Sequence, residues 1–232
     1  MTTLHLLCAG AAQGLVKALQ DGFAADTGAT VQGRFGAVGA MKEALLEGAP
    51  CDVMIVTDAM IGALVAEGQL RAEARAPLGR VRTGVAVRSG SARPDVATPD
   101  ALKAALRAAD ALYFPDPVRA TAGIHFAKVM AQLGIHDELL PRFRTFPNGA
   151  TAMRELAASP SPNAIGCTQV TEINYTPGVE LVAALPPAFE LATVYTAAVS
   201  THAASAELAA RFIALLAGPA SQGLRAAGGF EG

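Results

Sequence analysis

Apolar residues in this chain come in short runs that end in small residues and give way to wider, helix-spaced stripes. Residues 4–8, Leu-His-Leu-Leu-Cys, are the first run, and Ala9-Gly10 ends it. Leu15, Leu19 and Phe23 then fall four apart on one stripe, which predicts a strand, a turn and a helix over about residues 13–25. Gly28 closes that helix. Residues 30–35 predict a second strand, Gly36-Ala37-Val38-Gly39 leads into a helix through Glu47, and residues 52–56 and 60–67 predict a third strand and helix. Residues 78–88 alternate, with Val81, Thr83, Val85 and Val87 on one face, as an extended strand does. This βαβα alternation predicts a parallel, doubly wound sheet.

The turn-rich stretch 94–99 opens a second set of the same elements. Thr98 and Asp100 suit the start of a helix to about residue 108, residues 111–114 predict a strand, and Asp116-Pro117 begins a loop reaching Gly123. A long helix to Leu133 follows, then a helical stretch at 138–143, a short strand at 144–146, a helix at 150–158 and a strand at 164–167. Strands at 179–183 and 193–200 and helices at 207–216 and 220–226 complete the chain. The strands near 81–87 and 194–200 stand between the two sets. The expected fold is α/β, with two doubly wound lobes joined by two crossover strands and a ligand cleft between them at the strand carboxyl ends. Residues 1–82 with 196–232 form lobe one, and residues 83–195 form lobe two.

Composition narrows the function. The 232 residues are 52% hydrophobic and 16% charged, the pattern of a packed globular chain. Lys+Arg 18 against Asp+Glu 20 leaves a net charge of −2 with no basic cluster, which argues against nucleic-acid and anionic-membrane partners. No stretch approaches the roughly 20 continuous apolar residues of a spanning helix. Cys8, Cys51 and Cys167 are widely spaced, and read better as free buried thiols of a reducing compartment than as a disulfide framework. Met1-Thr2-Thr3 runs straight into the first strand without a charged n-region and a long apolar stretch. The expectation is a cytoplasmic protein, or a periplasmic one if the sequence is a processed form.

Several stretches resemble the molybdate-binding branch of the type II periplasmic solute-binding proteins. They are Arg34 to Ala40 followed by Leu46 to Val53, Asp116 to Gly134, Ile165-Gly166-Cys167-Thr168-Gln169 with Glu172-Ile173, and Pro177 to Val182 before Leu185-Pro186. In that branch, small hydroxyl residues after the first and second strands hold a tetrahedral oxyanion with backbone N–H groups. Here those loops read Ala9-Gly10-Ala11-Ala12-Gln13 and Gly36-Ala37-Val38-Gly39, so both hydroxyls are lost. Each missing donor removes a charge-assisted bond worth roughly 1.5–3 kcal/mol. The chain is also similar to the aconitate isomerases built on this fold, most visibly at residues 123–128 and 166–169. That likeness implies a small di- or tricarboxylate ligand.

Ala11, Ala12 and Gln13 with Gly36, Ala37 and Val38 form small-residue turns that let a ligand reach backbone N–H groups, or simply pack strand against helix. Thr57 ends the third strand as a possible carboxylate donor, while Asp58 suits a cap. Arg119 offers a cation to a polyanion or to solvent, and Thr121 offers either a helix N-cap or a ligand donor. Asn148 has the same choice. Thr168 and Gln169 follow a strand where polar side chains face the cleft. His125, in the first turn of the long helix, is the candidate base, although it shares the polar face with Lys128 and Gln132. His5 reads as a core histidine. No metal-ligand spacing and no cofactor motif is seen. Two functions follow: isomerisation of an unsaturated polycarboxylate, or capture of molybdate or another small anion for an ABC permease, the latter only if the chain is exported.

Overall fold

The structure, a computed structural model, describes residues 2–232. It divides into two compact units, the first comprising the chain up to Val81 together with Thr193–Gly232, the second Arg82–Ala192. The chain passes from one to the other within strand β4 (Leu70–Arg88) and returns at the start of β9 (Ala192–Ser200).

In the first unit β1 (Thr3–Ala9) lies between β2 (Thr30–Gly36) and β3 (Val53–Thr57) and runs parallel to both. The runs that predicted these strands are apolar because β1 and β3 are buried on both faces, as parallel strands covered by helices are. Helices α1 (Gly10–Thr27), α2 (Val38–Leu46) and α3 (Asp58–Ala66) follow their strands almost without a loop. β9 pairs antiparallel with β3, and α9 (Ala206–Ala217) packs on α1, where Phe23 meets Phe212 edge to face at 4.8 Å. A final helix, α10 (Gln222–Gly228), ends the unit. The buried Asp52 staples this unit: Oδ2 accepts the His5 N–H at 2.7 Å, and Oδ1 accepts those of Ala204 and Ser205 at 2.7 and 3.4 Å.

In the second unit β5 (Leu112–Pro115) runs parallel to β6 (Phe143–Phe146) and β7 (Ile165–Gln169), while β4 pairs antiparallel with β7 and with β8 (Val179–Ala184). Strand alternation divides the core in two. Val85, Val87, Ile165 and Cys167 pack with Leu102 and Leu106 of α4 (Pro99–Ala108) and with Phe126, Val129 and Met130 of α5 (Thr121–Gln132). Ala86 faces the other way, toward Met153 and Leu156 of α7 (Gly149–Ala157) and Ile173 of α8 (Val170–Asn174).

Three expectations are corrected here. The sheets are mixed rather than purely parallel, because β4, β8 and β9 each run against a neighbour. β4 starts at Leu70, not residue 78: residues 71–77 alternate only alanine with charge, none of them is buried, and they carry no large or β-branched apolar side chain to mark a strand. The helical stretch near 138–143 is one turn, α6 (His136–Leu139), and then a 3₁₀ turn at Leu140–Arg142, where Pro141 supplies no N–H.

Candidate functional site

In the first unit the parallel register places Ala9 beside Gly36, and Cys8 beside Ile55, so the carboxyl ends of β2, β1 and β3 emerge side by side. Ala9 and Ala37 are the N-caps of α1 and α2, and neither offers a side-chain cap. The first N–H groups of a helix have no intrahelical partner and stand at the positive end of its dipole. Ala11, Ala12, Gly36, Ala37 and Val38 are buried around them, and Gln13 is half-buried. The small side chains selected from sequence therefore share one edge. Thr57 differs, because its extended backbone makes it the N-cap of α3, its Oγ1 accepting the Met60 N–H at 3.3 Å. Asp58, expected in that role, is the first helical residue and accepts the Thr196 hydroxyl at 2.8 Å.

In the second unit α5 also begins without a side-chain cap. Its N-cap is Ala120, so Thr121 is the first helical residue and not the cap expected of it. Arg119 is exposed on the turn before it, where Asp116 Oδ1 accepts the N–H groups of Val118 and Arg119 at 2.7 and 3.1 Å. Asn148 caps α7, accepting the Thr151 N–H at 2.8 Å, which commits its side-chain oxygen to the helix. His125 is half-buried instead of lying on an open polar face, because the 3₁₀ turn Pro187–Phe189 covers it. Its Nε2 lies 2.7 Å from the Phe189 carbonyl, which makes Nε2 the donor and leaves Nδ1 as the ring's basic atom.

Sequence reasoning passed over Glu172. The Thr168 hydroxyl donates to its carboxylate, and so do the backbone N–H groups of Ala150, Gln169 and Gly149. Glu172 thus fills the N-terminus of α7 from inside the protein, and Thr168, expected to donate to a ligand, is already paired. Burial pushes the Glu172 carboxyl up from its ordinary value, and these donors partly oppose the shift. Gly149 is required, because a Cβ there would fall on the Thr168 hydroxyl and the Glu172 carboxylate. The sequence signal, a carboxylate four residues after Thr168, becomes readable only once α8 is known to be a helix.

Gln169 is another matter. It is 2% exposed, and neither its Nε2 nor its Oε1 has a hydrogen-bond partner. Thr83 is paired directly with it across β4 and β7, is 1% exposed, and carries an equally unpaired Oγ1. Residues directly opposite in an antiparallel pair share a face, with Cβ atoms about 4.5–5.5 Å apart. That face is the one α5 covers, since Val85 and Cys167, each two residues from the pair on its own strand, lie in the same alternation. The Thr171 hydroxyl, two residues further on, is also buried and unpaired. The sequence marks Thr83 only as a strand residue, because nothing in it shows which strand lies opposite.

Cys8, Cys51 and Cys167 are free and buried. Burial raises all three thiols, Cys51 to about 12, and so holds them protonated. His5 is half-buried, not a full core residue, and its backbone N–H is what Asp52 engages. Among the described residues, no group of three or more His, Cys, Asp or Glu side chains is placed to hold a metal ion, and no helix is long and apolar enough to cross a membrane.

Parallel strands opening directly into helix N-termini, in two α/β units built from one interrupted chain, define the type II periplasmic-binding-protein class. The chain belongs to the bacterial extracellular solute-binding protein family, whose sequence model matches residues 4–231. An aconitate isomerase from Pseudomonas sp is 24% identical over 226 residues, covering 94% of this chain and 83% of that protein. The structure is similar to the periplasmic molybdate-binding protein of Azotobacter vinelandii, with a TM-score of 0.79, 21% identity and 98% of each chain covered. It is also similar to the sulfate-binding protein SubI of Mycobacterium tuberculosis H37Rv, with a TM-score of 0.74, 17% identity, and 99% of this chain and 86% of that one covered.

Proposed function

We propose that the protein binds a small polycarboxylate and isomerises it, by an allylic proton shift or by cis/trans isomerisation of an unsaturated di- or tricarboxylate. The observation that carries this reading is the alanine N-cap of α1, α2 and α5, each leaving first-turn N–H groups without a side-chain partner. Bare helix N-termini bind carboxylates through backbone N–H groups and the dipole, with no need for a cation or a hydroxyl. The aconitate isomerase that shares 24% identity supports the same substrate class.

In the allylic shift a base removes the proton next to the double bond, the electron pair moves across the three carbons, and a proton returns at the far end. The chemistry asks for fixed carboxylates, a base near the acidic C–H and exclusion of water. His125 is the candidate base through Nδ1, because Nε2 is held by Phe189. The second reading, a binder that passes an oxyanion to an ABC permease, is favoured by the fold's likeness to molybdate- and sulfate-binding proteins. The isomerase reading places the protein in the cytoplasm, and recovery from the periplasm would favour the binder.

A thermal-shift panel of molybdate, tungstate, sulfate, citrate and cis- and trans-aconitate tests both readings, followed by NMR in D₂O of any unsaturated acid that stabilises the protein. Stabilisation by aconitate with deuterium exchange or cis/trans interconversion is the expected result. Stabilisation by molybdate alone would defeat the isomerase. Full turnover in His125→Ala would remove His125 as the base.

A further inference from the structure

Most buried polar side chains of the second unit are paired: Thr168 with Glu172, Thr176 with the Glu172 carbonyl, and Tyr113 with Ser159. Gln169, Thr83 and Thr171 stand out against that background, and the first two form a pair. They are opposite one another on adjacent strands, they are buried, and three side-chain atoms between them lack partners. The rest of the chain gives no reason to keep two such groups inside, because leucine and valine would fill the same space without the desolvation cost. Their place is also particular. Gln169 is the last residue of β7, on the sheet face covered by α5, the helix whose N-terminus lacks a side-chain cap.

We infer that Gln169 and Thr83 form a neutral subsite that selects ligands carrying a hydroxyl or carboxamide beside their carboxylates. The argument is one of matching donors and acceptors. The amide has two N–H donors and one oxygen acceptor, and the threonine hydroxyl does both. An ion such as molybdate or a fully ionised carboxylate only accepts, so it would leave Gln169 Oε1 buried and unpaired. A hydroxyl or a primary amide can accept from Nε2 and donate to Oε1, and Thr83 can take either part. Discrimination between a ligand with this group and its analogue without it is then about tenfold or more, the usual consequence of leaving a buried polar group unmatched.

This inference narrows the proposed class to unsaturated polycarboxylates that also carry a hydroxyl or carboxamide, against which aconitate is the plain analogue that binds more weakly, and it rests on that reading for the anionic part of the ligand. Calorimetric titration of the full chain with citrate against tricarballylate, and malate against succinate, reads the hydroxyl preference directly. The wild type should favour the hydroxylated member of each pair by about tenfold or more, and Thr83→Val or Gln169→Leu should bring the ratio within about twofold. An unchanged ratio in the variants, or no preference in the wild type, would overturn the subsite. Two further measurements stand apart from polycarboxylate binding. Ligand-free Thr83→Val and Gln169→Leu should melt at or above the wild-type temperature, since each removes an unpaired buried group. A clear fall in Tm would mean that the pair serves the fold, and would also overturn the inference. The Gln169 side-chain amide signal in a ¹⁵N spectrum, assigned by its loss in Gln169→Leu, should move with glycolate or acetamide and not with acetate. If it does so while no polycarboxylate binds, the proposed substrate class fails and the subsite stands. If none of these probes moves it, the subsite fails.

Discussion

Gly149→Ala tests the internal packing of the second unit at its tightest point. The added methyl would occupy the place of the Thr168 hydroxyl and the Glu172 carboxylate, so both must move and the bonds that Glu172 receives from Thr168 and from the start of α7 are disturbed. Hydrogen bonds to a charged or strongly polar group contribute roughly 1.5–3 kcal/mol each, so losing two costs about 3–6 kcal/mol. Alanine's better helix propensity returns only about 1 kcal/mol. A net loss of roughly 2–5 kcal/mol lowers the urea midpoint by about 1–3 M when the slope is near 2 kcal/mol/M. The control is Gly149→Ala combined with Glu172→Ala, which removes the obstructing carboxylate. The double variant should cost at least about 1 kcal/mol less than the sum of the single changes, as contacting groups do. A Gly149→Ala protein within about 1 kcal/mol of wild type, or an additive double variant, would refute the steric reasoning.

Three further contacts and burials have measurable consequences. Asp52→Ala strips an acceptor from three backbone N–H groups and should destabilise the protein by about 3 kcal/mol, with Asp52→Asn costing about half; faster amide exchange at Ala204 would localise the effect. The Glu172 carboxyl is raised on folding, so its contribution is fully present below the unfolded-state value and shrinks as pH climbs toward the folded one. Wild type should therefore lose stability relative to Glu172→Gln above about pH 4.5, at up to about 1.4 kcal/mol per pH unit, and a flat difference in urea midpoints from pH 4 to 8 would contradict it. The three buried thiols should resist an aromatic disulfide reagent in the native protein and all react once urea unfolds it; rapid reaction of Cys8 or Cys167 in the folded state would show that burial does not protect them.

Local patterning went a long way here. Apolar runs followed by helix-spaced stripes revealed β1, α1, β2, α2 and β3, because parallel strands buried on both faces and amphipathic helices leave distinct periods. The small residues at 9–12 and 36–38 marked strand-to-helix turns, and those turns are where the uncapped N-termini lie. Caps proved harder to place by one residue. Thr57 and Ala120 hold the N-cap positions expected of Asp58 and Thr121, because the cap is decided by where the strand's extended backbone stops.

Pairing across the sheet left no trace in the linear pattern. Thr83 and Gln169 are far apart in sequence, and only the antiparallel register of β4 and β7 makes them neighbours. Glu172 looks like any surface carboxylate until the five residues of α8 turn it back under Thr168 and the start of α7. His125 looked solvated until the turn at 187–189 covered it. The sequence alone was sufficient for the α/β class, the two sets of elements and the turns with bare N–H groups, since those depend on interactions a few residues long. Which polar groups are paired, and which are left without a partner, depends on residues brought together from distant parts of the chain, and the tertiary structure alone decides that.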